Sequence, residues 1–266
     1  MEVHHHPHTE RKKFTHYLWE FLMLFLAVFC GFLAENFREH QVEHQREKQF
    51  MITMVEDLKS DTSIVTHAAA YWDTINNSID SVSDAIKFPV NQTDFAKAYR
   101  HLSNALNYYG FRYNDRTISQ LKNSGGFRLI RQKSVANKII LYDQLNQNAM
   151  PNIADEHTTL YMQTLALRNN VFAQEITNEV YRRYGYIPPP LSANEWIDSM
   201  MQVYKVPLSA ETYNTVMFEF KNSLLALRKD FTNMQWGYDH EKTQMNELIA
   251  LIQDKYHLSE RTLLEK

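Results

Sequence analysis

Residue types able to do chemistry gather in few places along this chain. His40 and His44 stand four apart in ENFREHQVEHQREK, among Glu39, Glu43 and Glu47. On a helix that spacing brings both imidazoles to one side, where they could offer two ligands to a divalent metal. Neither HExxH nor a pair of ExxH motifs suited to a di-iron bundle is present, so a third ligand would have to come from elsewhere. The stretch reads first as a solvated, charged helix face and only second as a metal site. His4, His5, His6 and His8 form a histidine-rich tip interrupted by Pro7, read as a flexible tail with incidental metal affinity.

Tyr109, Arg112, Tyr113 and Arg116 belong to a run of aromatic and basic residues that also holds Tyr108 and Phe111. Rings and guanidinium groups together suit a ligand pocket, and equally a corner of a helical bundle with arginines reaching out to solvent. The bundle corner is the plainer reading. Nucleophilic catalysis has no foothold: Cys30, the single cysteine, lies inside an apolar run, and no serine sits in a Gly-x-Ser-x-Gly elbow. Asn123, Ser124, Gly125 and Gly126 lack the Gly-Lys-Ser/Thr ending of a phosphate loop and read as a helix-terminating turn. No enzyme activity and no cofactor are expected.

The element that dominates the N-terminal part is FLMLFLAVFCGFLA, Phe21 to Ala34, which carries no charge and is extended across Glu20 by Tyr17, Leu18 and Trp19. As a helix the stretch from Tyr17 rises about 27 Å, enough for a hydrocarbon core of about 30 Å with aromatic rings at its edges. Its consecutive large apolar residues leave no polar stripe of the kind a soluble amphipathic helix shows. Phe32, three residues before a cut after Ala34, and Phe29, directly before Cys30, suit neither signal-peptide nor lipoprotein processing, so retention is expected. Glu20 is the one ionisable residue of the segment, placed to pair with His16 one turn earlier or to reach the interface. Arg11, Lys12 and Lys13 precede the run more tightly than Arg38, Arg46 and Lys48 follow it, which by the positive-inside rule puts the N-terminus in the cytoplasm.

Beyond the anchor the chain predicts an all-α fold: a transmembrane helix continuing into a long stalk helix, then an extended helical bundle with a long C-terminal helix. Six glycines and seven prolines in 266 residues are too few for a sheet built on many tight turns. Ile64, Ala68, Tyr71, Ile75, Ile79, Val82 and Ile86 form one apolar face, closed by Pro89. Thr93 is placed to cap a helix carrying Phe95, Tyr99, Leu102, Leu106 and Tyr109, with Gly110 as its stop. Thr117 with Gln120, and Ser192 with Glu195, have capping-box spacing, and Ser134 can open the helix of Val135, Ile139, Tyr142 and Leu145. A further helical stretch after Pro151 runs to Tyr184 and stops at Gly185 before Pro188, Pro189 and Pro190. Tyr213, Met217, Phe220, Leu224, Leu227, Phe231, Met234 and Tyr238, resumed by Met245, Leu248 and Ile252, make the seam of a long helix able to pack antiparallel along the stalk. The expected organisation is a cytoplasmic tail over 1–16, the transmembrane helix over 17–37, stalk and first bundle helix over 38–87, and the rest of the bundle over 88–266.

Two stretches resemble a bacterial family of single-pass membrane proteins, common in Bacteroidota, that carries a domain of unknown function. One is WEFLMLFLAVFCGFLAENFREH, Trp19 to His40, followed by REKQFMITMVEDLKSD, Arg46 to Asp61; the other is RTISQLKNSGGFRLIRQKSVANKIILY, Arg116 to Tyr142. The resemblance implies an anchor and this topology, and no activity. A net charge of −3 with scattered Lys and Arg excludes the long basic block that nucleic acid requires. The expected partners are therefore the lipid bilayer and either another envelope protein or a second copy of the chain. The expected role is a scaffold or interaction module of the bacterial inner membrane, its C-terminal domain periplasmic. The alternatives are a small-molecule-sensing domain acting through a partner and a metal-dependent protein using His40 and His44.

Overall fold

The computed structural model describes residues 14–107, 111–204 and 209–259. All regular structure among them is helical, with no strand. The first helix, α1 (Phe14–Ala85), runs for 72 residues. No Gly or Pro lies between Gly31 and Pro89, so nothing in its backbone chemistry interrupts it. The chain divides into two compact units, Met1–Phe50 and Met51–Lys266, and the division falls within the segment expected as stalk and first bundle helix.

In the first unit every described residue from Phe14 to Gln41 is exposed, on all sides of the helix. Phe21, Phe25 and Phe29 stack along one side with ring centroids 6.3 and 5.9 Å apart. An apolar cylinder with no protein against it, and with its backbone bonds closed internally, is what a bilayer solvates. Among the described residues α1 is the one helix long and apolar enough to cross a membrane.

The second unit adds α2 (Phe95–Ala105), α3 (Arg116–Asn123), α4 (Lys133–Gln144), α5 (Met150–Val171), α6 (Gln174–Tyr184), α7 (Asn194–Val203) and α8 (Ala210–Tyr256) to the later turns of α1. α8 runs antiparallel to them. Thr62 meets the sulfur of Met245 at 3.7 Å, Trp72 stacks on Tyr238 at 4.7 Å, Arg228 pairs with Asp80 at 2.5 Å, and Phe88 meets Phe218 at 5.8 Å. The expected stripe from Met217 to Ile252 is buried along this seam. Each such side chain withdrawn from water contributes about 1.5–3 kcal/mol.

The expected face of α1 is buried at Ala68, Ile75, Ile79, Val82 and Ile86 and differs at two positions near its start. Val65 and Trp72 are buried, whereas Ile64 is exposed and Tyr71 is half-buried. Either residue of the pairs Ile64/Val65 and Tyr71/Trp72 stands three or four positions from Ala68, so spacing alone does not choose between them. The choice is made by Met51, Met54, Val55 and Leu58 upstream, all buried, and by the large Trp72 ring that Tyr238 receives.

Several helix ends also differ. Asp94, not Thr93, caps α2 by accepting from the Lys97 amide at 2.9 Å, while the Thr93 hydroxyl bonds the Lys87 amide and carbonyl instead. α2 ends at Ala105, short of Tyr109, and Tyr109 and Gly110 lie outside the described residues. α4 starts at Lys133 behind Gln132, so Ser134 falls inside the helix and is no cap. Ser192 lies in a 3₁₀ turn, Leu191–Ala193, and α7 begins at Asn194 without a side-chain cap. The stretch expected to run unbroken from Pro151 to Tyr184 is broken at Phe172 and Ala173. Tertiary packing causes that break: Phe172 buries its ring between Tyr99 and Phe220, and the Ala173 amide donates to the Tyr99 hydroxyl at 2.8 Å. Gly185 ends α6 at φ +61° and ψ −129°, a conformation open in practice to glycine alone.

Candidate functional site

Four carboxylates enter the core of the second unit. Asp57 and Asp61 lie one turn apart on α1, Asp143 comes from α4 and Glu241 from α8, and all four are buried. Asp57 holds the start of α3. Its Oδ2 accepts from the Thr117 amide at 3.0 Å and from the Thr117 hydroxyl at 2.5 Å. Its Oδ1 accepts from the Asn114 amide nitrogen Nδ2 at 3.0 Å and pairs with Arg116 at 2.7 Å. The expected box of Thr117 with Gln120 is thus replaced: the helix begins at Arg116, Thr117 becomes a donor, and the acceptor arrives from another helix.

Asp61 continues the clamp. Its two oxygens accept from the Asn114 backbone N–H at 3.1 and 2.9 Å, and Oδ2 also accepts from the Tyr142 hydroxyl at 3.0 Å. Asp143 takes the Tyr113 hydroxyl at 3.1 Å and the Lys122 ammonium at 2.6 Å, joining the loop before α3 to its last turn. The residues Arg46–Asp61 and Arg116–Tyr142, separate in sequence, therefore meet through Asp57, Asp61, Arg116, Thr117 and Tyr142.

Glu241 is the exception among the four. It is 0 % exposed, and neither carboxyl oxygen has a protein hydrogen-bond partner. Burial pushes its carboxyl up to about 7, tempered by the nearby Asn146 side chain and reinforced by the charge of Asp61. Asp61 is likewise raised to about 6, first by burial, against the opposing bonds from Asn114 and Tyr142, with the Asp57 charge adding to the rise. The Tyr142 phenol is driven up by burial and by the Asp61 and Glu241 charges, so it stays a donor. The arrangement can hold protons near neutrality. These groups are closed to solvent.

The other singled-out residues lie apart from one another. Glu20 pairs with His16 at 3.0 Å, one turn away. His40 stands 3.9 Å from Glu43, and His44 3.5 Å from Glu47. Among the described residues no group of three or more His, Cys, Asp or Glu side chains is disposed to hold a metal ion. Of the aromatic and basic run, Tyr113 and Arg116 are drawn into the carboxylate network, Arg112 is exposed, and Tyr109 lies outside the described residues. The four carboxylates were not expected, although two of them carry a signal. Glu241 fills the gap in the α8 stripe between Tyr238 and Met245, and Asp61 fills the gap between Leu58 and Val65 on α1. A carboxylate in the register of an apolar seam marks a buried ionisable group.

Compared with protein-family models, with curated proteins and with solved structures, the chain finds no match.

Proposed function

We propose that this chain is a single-pass protein of the bacterial inner membrane, its N-terminus cytoplasmic, whose periplasmic helical unit serves as an interaction module for an envelope protein or a second copy of itself. The observation that carries this reading is the outer face of α8. Phe218, Leu225 and Trp236 are 55 %, 41 % and 74 % exposed. Phe218 and Trp236 are eighteen positions apart, about five helical turns, with Leu225 close to the same line. They therefore form a stripe on the side of α8 away from its buried residues, with Phe218 meeting Phe88 at one end. Trp236 also stacks on His240, with centroids 6.0 Å apart. Exposed aromatic residues in a row are the composition of a protein-binding surface.

The test is photo-crosslinking in membranes from probes placed at Leu225 and Trp236 of the full chain. Discrete adducts, either heteromeric or dimeric, are the expected result. Recovery of monomer alone from both positions would refute the interaction role.

A second reading, small-molecule sensing, is favoured by a cavity between α2, α5 and α6 that lies outside the run from Tyr109 to Arg116.

A further inference from the structure

α2, α5 and α6 line an open, groove-like cavity of about 290 Å³, with Ser103 and Leu106 on one wall, Tyr161 and Arg168 on the second, Tyr181 on the third, and Tyr186 beyond α6 at its edge. Liquid water occupies about 30 Å³ per molecule, so the space suits a ligand on the order of ten non-hydrogen atoms. Among the described residues, Arg168 is the one charged side chain in the lining, and no carboxylate lines it.

Four other arginines of the unit are matched with carboxylates, Arg116 with Asp57, Arg182 and Arg183 with Glu179, and Arg228 with Asp80, while the buried Arg100, whose Nε is also without a partner, reaches only the Pro189 carbonyl at 3.5 Å. Among the described residues the Arg168 guanidinium has no carboxylate partner, and its Nε is buried without a hydrogen-bond partner. Burial lowers its affinity for the proton, opposed by the adjacent Tyr161 phenol. The Ser103 hydroxyl is a second buried group without a partner on the same wall system. Other polar lining groups are already engaged with protein: Tyr161 donates to the Leu106 carbonyl at 2.8 Å, and Gln174 to Asn178 at 2.9 Å.

We infer that this cavity binds a small organic monocarboxylate, with Arg168 as its counter-ion and Ser103 as a supporting hydrogen-bond partner. One guanidinium balances one negative charge, and its planar fork matches the two oxygens of a carboxylate. The rings of Tyr161, Tyr181 and Tyr186 and the side chains of Leu102, Leu106 and Leu165 then receive the hydrocarbon body. A dianionic phosphate would leave one charge uncompensated among these groups. The inference does not depend on which side of the membrane the unit occupies or on a protein partner.

The full chain in lipid nanodiscs is titrated with 3-phenylpropionate and with hexanoate, against the neutral 3-phenylpropionamide, following the thermal midpoint and binding heat. The expected result is a saturable upward shift of about 2–4 °C with at least one carboxylate and none with the amide. Arg168→Gln is expected to weaken carboxylate binding about tenfold or more, and Ser103→Ala to weaken it less. Absence of a saturable response to both carboxylates, an equal response to the amide, or wild-type affinity in a folded Arg168→Gln protein overturns the inference. Should Arg168→Gln fail to fold, reduced carboxylate affinity in Ser103→Ala with the carboxylate-over-amide preference intact supports the inference, and wild-type affinity in Ser103→Ala overturns it.

Discussion

Glu241 shows what a single residue can cost the fold that contains it. Its carboxyl is raised from the usual 4.5 to about 7, so the folded chain disfavours the ionised form. The penalty is absent below the usual carboxyl range, grows as pH rises from about 4.5 to about 7, and is complete above that. At about 1.4 kcal/mol per pH unit its ceiling is about 3 kcal/mol. Glu241→Gln should therefore stabilise the protein by about 1–3 kcal/mol at pH 8 and by much less at pH 4.5, measured by urea unfolding at both pH values. Equal effects at the two would contradict a buried, proton-holding carboxyl. Asp57 poses the opposite case, because Asn114 and Thr117 both donate to it. Removing it in Asp57→Ala strands those donors and should cost about 2–4 kcal/mol. Arg116→Ala should cost under about 1 kcal/mol, because its guanidinium is half exposed and water screens the pair. Comparable losses in the two variants would show that the ion pair, and not the hydrogen-bonded clamp, holds α3.

At the scale of helices, the α1 and α8 seam takes Val65 and Trp72 inward where spacing alone offered Ile64 and Tyr71 equally. Trp72→Ala, which empties the stack on Tyr238, should cost about 3–5 kcal/mol, and Ile64→Ala under about 1 kcal/mol. Denaturant midpoints of the two variants read the difference directly, and a reversed order would put Ile64 rather than Trp72 in the seam. The long helices were legible because their apolar residues repeat over many turns: α8 and its stripe from Met217 to Ile252 follow from spacing alone. The ends of the short helices were not, for a physical reason. α3 is capped by a side chain sixty residues earlier in the chain, and the break after α5 is made by the Tyr99 hydroxyl and the Phe172 ring, partners that local sequence does not reveal. The cavity was hidden likewise, since Ser103, Arg168 and Tyr181 come together only through packing.

For the molecule as a whole, the proposed orientation makes one further demand. External protease added to spheroplasts should cleave the part of the chain beyond Arg46, and only disruption of the membrane should expose the residues before Tyr17. The inverse pattern would reverse the proposed topology. The clamp at Asp57 and Asp61 also has a consequence for how the chain reaches its native state. An eight-residue helix is too short to persist alone in water, and α3 borrows its cap from a distant segment of chain. Its amides should therefore gain protection only when α1 has docked onto it, a loop closure of some sixty residues. Pulse-labelling hydrogen exchange during refolding should find the Thr117 amide protected in step with the α1 core and later than the middle of α8. The order of events in folding would then be written in one carboxylate.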